Sequence, residues 1–127
     1  MRRGTRKVGG VEIVKITYPA WLTKCDPAEI GEAYEEATDD CYGDEQASGL
    51  VDMAIQEIVV PFTAIALGKR VEVVNAAPAT NAAWGVDLIV KSGKKQFPIS
   101  ASSVELCEPF PEGHLYLAAL LVWHSKM

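Results

Sequence analysis

A mixed α+β domain is the fold class this sequence predicts, and three features predict it. Apolar residues recur at three- and four-residue steps across residues 30–58. After Pro61 the pattern changes to short β-branched runs divided by turn residues, and a last stretch from His114 to His124 is almost wholly apolar. At 127 residues, 49% of them hydrophobic, the chain is sized for one modest core and one domain, 1–127.

Residues 1–10 read as a basic flexible tail, because Arg2, Arg3, Arg6 and Lys7 precede Gly9-Gly10 at a terminus. Residues 11–18 read as a strand: Val11, Ile13, Val14, Ile16 and Thr17 alternate in part before Pro19 ends the run. Asp26-Pro27-Ala28-Glu29 is a helix start with a mechanism. Asp26 caps free amides, Pro27 suits the first helical position, and Glu29 can close a capping box. Ile30, Ala33, Tyr34, Ala37 and Cys41 then share one face, expected toward the core, while Glu32, Glu35, Glu36 and Asp39 point outward. Gly43 is placed to end this first helix in the left-handed conformation. The second helix opens near Asp44, carries Ala47, Leu50, Val51, Ala54, Ile55 and Ile58 on one stripe, and stops before Pro61.

Five strands follow, over residues 62–67, 71–75, 84–91, 96–100 and 104–106, with turn signals at Gly68-Lys69 and Ser92-Gly93. Residues 76–83 read as a flexible loop rich in Ala, Asn and Pro. So small a sheet hides its edges most easily by curling into an SH3-like β-barrel over 61–108, lined by Val73, Val86, Leu88, Val90 and Ile99. Pro109 and Pro111 break the chain before the apolar C-terminal segment, 109–127, where Leu115, Leu117, Leu120, Leu121, Val122 and Trp123 leave almost no polar face. That segment is expected either to cover an open end of the barrel or to join copies of the chain. A homo-oligomer is preferred, since a chain this short has little spare core to cover it.

Composition excludes several functions. The net charge of -5 argues against nucleic acid, and no apolar run reaches the roughly 18 residues of a membrane helix. Without a secretory apolar stretch either, the protein is expected in the cytoplasm, with no membrane partner. Its three cysteines, Cys25, Cys41 and Cys107, have no CxxC spacing and read as reduced thiols. Neither His114 nor His124 has a nucleophile or acid at motif spacing, and no phosphate loop or GxSxG elbow is present, so no enzyme activity is expected.

Charge placement is the sharpest signal. Between Cys25 and Gly68 lie eleven carboxylates and no Lys or Arg, and Asp39, Asp40, Asp44 and Glu45 crowd the joint between the two helices. Like charges a few ångströms apart repel by about 1 kcal/mol per pair in water and more near a protein surface. Asp44 and Glu45 suit the start of a helix, but Asp39 and Asp40 sit at the end of one, where the dipole disfavours them. A hard cation such as calcium, which takes six to eight oxygens, would relieve both problems. The pattern is not an EF-hand. The competing explanation is an acidic, solvated surface with capping acids and no metal.

The run Asp40-Cys41-Tyr42-Gly43-Asp44-Glu45-Gln46-Ala47, then Gly49, Pro61-Phe62-Thr63-Ala64, Gly68, Val71-Glu72-Val73, Ala77-Pro78 and Pro98-Ile99, resembles the small calcium-binding proteins of the cyanobacterial CcbP type. The likeness spans residues 30–106. It implies a bacterial protein with a helical acidic segment before a small β-barrel, and calcium held by carboxylates at Asp40, Asp44 and Glu45; Asp39 joins them on local physics alone. This chain departs from that pattern at Leu50, Val51, Ile55 and Gln56, where such proteins carry an aromatic and an acidic pair, and in its neutral run Ala79-Thr80-Asn81-Ala82-Ala83. The expected function is calcium binding, as buffer or sensor. Its rival is a metal-free SH3-like interaction module or a homo-oligomeric accessory protein.

Overall fold

The computed structural model describes residues 7–8, 11–12, 19–39, 44–80 and 84–125. Strands β1 (Lys7–Val8) and β2 (Val11–Glu12) pair antiparallel, so part of the expected tail and of the expected strand 11–18 is a two-stranded ladder; residues 13–18 lie outside the described residues. A 3-10 turn, Ala20–Lys24, leads into α1 (Pro27–Ala37), and α2 (Asp44–Glu57) follows.

Helix α1 starts as its sequence dictates: the Asp26 carboxylate accepts from the Ala28 amide at 2.9 Å, with Pro27 in the first turn. It ends earlier than the apolar spacing through Cys41 suggested. Thr38 is the C-cap, and both its amide and its hydroxyl donate to the Tyr34 carbonyl, at 3.0 and 2.8 Å. A β-branched residue bonded back on the helix, followed by acids that the dipole disfavours, closes the last turn. Gly43, read as the terminator, lies outside the described residues.

Strands β3 (Phe62–Ala66), β4 (Lys69–Pro78), β5 (Val86–Ser92), β6 (Lys95–Ser100) and β7 (Val104–Leu106) form one antiparallel sheet in the order β6-β5-β4-β3-β7. The five strands arise where the sequence placed them, but the sheet is open, with β6 and β7 as edges, so the SH3-like barrel is corrected to an open sheet. The reason is packing. Helix α2 lies against β4 and β5, and the inward residues Val73, Val86, Leu88, Val90 and Val104 share one buried cluster with helical Leu50, Ala54, Leu117 and Leu120. Helices cover the face that a barrel would have enclosed by curling.

The expected loop 76–83 is corrected as well, since β4 continues to Pro78; residues 81–83 are outside the described residues. A β-bulge between Val73 and Asn75 inserts one residue into the ladder with β5. Val73 and Ala76, three positions apart, therefore both point inward. Edge strand β6 carries Pro98 opposite Ile89.

The apolar C-terminal segment is a third helix, α3 (His114–Ser125), packed on α1 and α2. Leu117, Ala118, Ala119, Leu120 and Leu121 are buried, so the segment that suggested a contact between copies finds its cover within the chain. The turn before it is tight. Gly113 has φ +88°, and a Cβ there would lie 1.9 Å from the Glu57 carbonyl oxygen. Beside it the Val59 amide donates to the Glu112 carbonyl at 2.9 Å, joining the end of α2 to the start of α3. Near the other end of α3, the His124 Nε2–H donates to the Trp84 carbonyl of the β4–β5 connection.

Candidate functional site

The four acids proposed as ligands fall at the α1–α2 joint. Asp39 follows the C-cap of α1 and is exposed, while Asp44 and Glu45 are the first two residues of α2, with Glu45 exposed. Asp40 lies outside the described residues, and of Asp44 the backbone is described. Neither helix has a basic residue in its last turn, and neither contains a Lys or Arg at all. Among the described residues no group of three or more His, Cys, Asp or Glu is placed to hold a metal ion.

The helical layer also holds two depressions that sequence reasoning did not anticipate. The larger, about 680 Å³, is a groove between the 3-10 turn, α1 and α3. Leu22, Thr23 and Cys25 form one end; Pro27, Ile30, Gly31 and Tyr34 form the α1 wall; Ala119, Val122 and Trp123 form the α3 wall. Its volume falls in the range typical of ligand pockets. The α1 wall is the face the heptad-like spacing marked as core. Ala33 and Ala37 are indeed buried, but Ile30 and Tyr34 are half-buried, with their outer sides in the groove; Cys41 lies outside the described residues.

Charges surround this apolar surface unevenly. Glu32 and Glu35 are exposed on α1, and the Asp26 cap begins the same helix. Burial, and then the nearby Glu29 carboxylate, push the Cys25 thiol above its usual range, so it stays protonated and unreactive at neutral pH. Lys24, the cation at this end, pairs with Glu108 at 3.1 Å.

The second depression, about 370 Å³, lies on the other flank of α1, between Glu29, Glu32 and Glu36 and the Phe110–Tyr116 stretch that opens α3. Here the Tyr116 hydroxyl donates to Glu36 at 2.7 Å, and His114 Nδ1–H donates to the Pro111 carbonyl at 2.9 Å. Behind it Trp21 is buried against Phe110 and His114, with ring centroids 5.6 and 6.2 Å away. Trp21 belongs to the core that holds the groove's end in place, because Glu105 of β7 accepts from the Ala20 and Trp21 amides at 2.6 and 3.0 Å. A lone aromatic between Pro19 and a polar stretch gave little periodic signal for this role.

Comparison with family models, curated proteins and solved structures returns no match. The class defined is therefore structural: a small α+β protein with a three-helix layer on one face of an open antiparallel sheet. Among the described residues no helix is long and apolar enough to cross a membrane.

Proposed function

We propose that this chain binds calcium at the acidic joint between α1 and α2. The observation that carries this reading is the placement of the helix ends. Asp39 directly follows the cap of α1, and Asp44 and Glu45 open α2, so Asp39, Asp40, Asp44 and Glu45 belong to one short connection with no Lys or Arg in either helix. Calcium accepts such oxygens in irregular geometry, with carbonyls and water completing the shell, whereas magnesium demands a tighter octahedron. The likeness to CcbP-type proteins supports Asp40, Asp44 and Glu45, and Asp39 joins them on local physics alone.

Calorimetric or optical melting tests it. Calcium at a hundredfold excess over its dissociation constant should stabilise the chain by about 2.7 kcal/mol, with a smaller response to magnesium, and replacing Asp39, Asp40, Asp44 and Glu45 by Asn or Gln should abolish the response. A melting curve unmoved by millimolar calcium overturns the reading. Under the rival, the same replacements stabilise the chain slightly by relieving repulsion.

One observation favours that rival, a metal-free interaction module. With the sheet open, its binding surface is not a barrel but the apolar groove between α1 and α3.

A further inference from the structure

Two turns lie side by side at one end of the sheet. Leu67-Gly68 joins β3 to β4, and Gly93-Lys94 joins β5 to β6. In and beside them stand Lys69, Arg70, Lys91, Lys94 and Lys95, all exposed, and none of the five has an ion pair with a described residue. Glu72 is the one acid across residues 67–72 and 91–96. Counted on from the Glu72↔Lys91 pair, Lys69 and Arg70 stand level with the Gly93-Lys94 turn, so Leu67-Gly68 projects beyond it.

The foremost residue is out of character for its place. Leu67 has φ 55°, a left-handed conformation whose ordinary occupants are asparagine and glycine, and it is 75% exposed, the most of any large hydrophobic residue among those described. Neither turn geometry nor core packing calls for a leucine there. An apolar side chain at the tip, with five cations just behind it, matches a surface that is anionic outside and apolar beneath. We infer that this end of the sheet rests on an anionic lipid bilayer, Leu67 entering the boundary between headgroups and acyl chains while the cations meet lipid phosphates and carboxylates. Such a peripheral contact needs no membrane-crossing helix and no calcium. A nucleic acid would draw on the same charges, but the two turns offer no aromatic ring for bases to stack on, and a phosphate backbone gives an exposed leucine nothing.

The net charge of -5 is not spread evenly. The first half of α2 borders the opposite end of the sheet, where Ser48 and Asp52 line a small depression with Pro78 and Gly85. From Lys69 to Pro78 β4 spans about 30 Å, about three Debye lengths at 0.1 M salt, so acids at that end are screened from a surface at the turns.

The test is co-sedimentation of the whole chain, in chelator, with phosphatidylcholine vesicles containing about one third phosphatidylserine, beside vesicles of phosphatidylcholine alone. The chain should sediment with the anionic vesicles at about 0.1 M salt, be released at about 0.5 M, and ignore the neutral ones. Lys94→Gln with Lys95→Gln should weaken binding more than about tenfold, at roughly fivefold per cation. Leu67→Asn should weaken it several-fold while the melting temperature holds or rises, because the turn prefers asparagine.

Equal binding to anionic and neutral vesicles, or binding to neither, overturns the inference. So does undiminished vesicle binding by Leu67→Asn, since charge alone would then explain the attraction. Tighter binding to single-stranded polyuridylate at the same salt, unchanged by Leu67→Asn, would assign the cations to nucleic acid and overturn the lipid surface.

Discussion

The helical layer and the sheet are built from the same modest set of apolar residues, yet they solve opposite problems. The sheet sets Val73, Val86, Leu88, Val90 and Val104 beside the small Ala64, Ala66 and Ala76, and all of them are buried. The helical layer buries Ala33, Ala37, Ala54, Ala118 and Ala119 beside Leu50, Leu117 and Leu120, yet leaves Ile30, Tyr34, Val122 and Trp123 half-buried along the groove between α1 and α3.

Charge follows the same division. The stretch between Cys25 and Gly68, which holds α1 and α2, carries eleven carboxylates and no Lys or Arg, while Lys69, Arg70, Lys91, Lys94 and Lys95 flank the β3–β4 and β5–β6 turns, which the antiparallel order brings to one end of the sheet. The comparison teaches that the sheet commits its inner face to the core it shares with the helices. The helical layer keeps part of its apolar surface outside that core, along the groove.

Breaking the seam between the two regions should have the largest effect. Gly113→Ala forces a Cβ into the Glu57 carbonyl at a left-handed φ, and is expected to cost about 3 kcal/mol or more, read as a lost or strongly lowered urea midpoint. Next come matched cavities, Leu120→Ala in α3 and Leu88→Ala in β5, both at fully buried positions. Each should cost about 3 kcal/mol, and because one cluster joins both residues, each should shift a single transition. Two separate transitions would show that layer and sheet fold independently.

A smaller effect sharpens the contrast from the sheet side. The β3–β4 turn uses Leu67 at φ 55° with Gly68 at φ 74°, a pair of positive φ values that suits Asn-Gly, and Leu67 is 75% exposed. Leu67→Asn should stabilise the chain by about 1 kcal/mol in chemical denaturation.

The smallest effect lies in the helical layer. The hydrogen bond to Glu36, then partial burial and the charges of Glu36 and Glu57, raise the Tyr116 phenol from its usual range to about 12. The folded state thus holds this proton more tightly than the unfolded state. The contribution is complete below the unfolded value of about 10 and disappears as pH rises through about 12. Phenolate absorbance should show one late-titrating tyrosine that Tyr116→Phe removes.

What the sequence made legible follows from range. Asp26-Pro27 announced α1 because capping is a matter of three consecutive residues, and β-branched alternation between turn residues located all five strands of the sheet to within a few positions. Closure was not legible. Whether an apolar sheet face curls on itself or accepts helices depends on α2 arriving over β4 and β5, and no local pattern encodes that arrival.

The groove was hidden for the same reason. Val122 and Trp123 lie more than ninety residues along the chain from Leu22 and Ile30, and Ile30 and Tyr34 read as ordinary core positions. Gly31 was the available clue, a helix interior glycine with no turn to make. Of the acidic joint, the helix ends were legible from Asp39 and Asp44, although α1 stops at Thr38 rather than continuing to Cys41.

The open edges of the sheet have a consequence for assembly. A strand arriving at β6 would find no amide to meet at Pro98, and β7 offers only three residues, beside a 3-10 turn whose amides already bond Glu105. Both features disfavour extension of the ladder by a further strand, so the margins of the sheet are poorer templates for stacking copies of the chain than a long, unbroken edge would be.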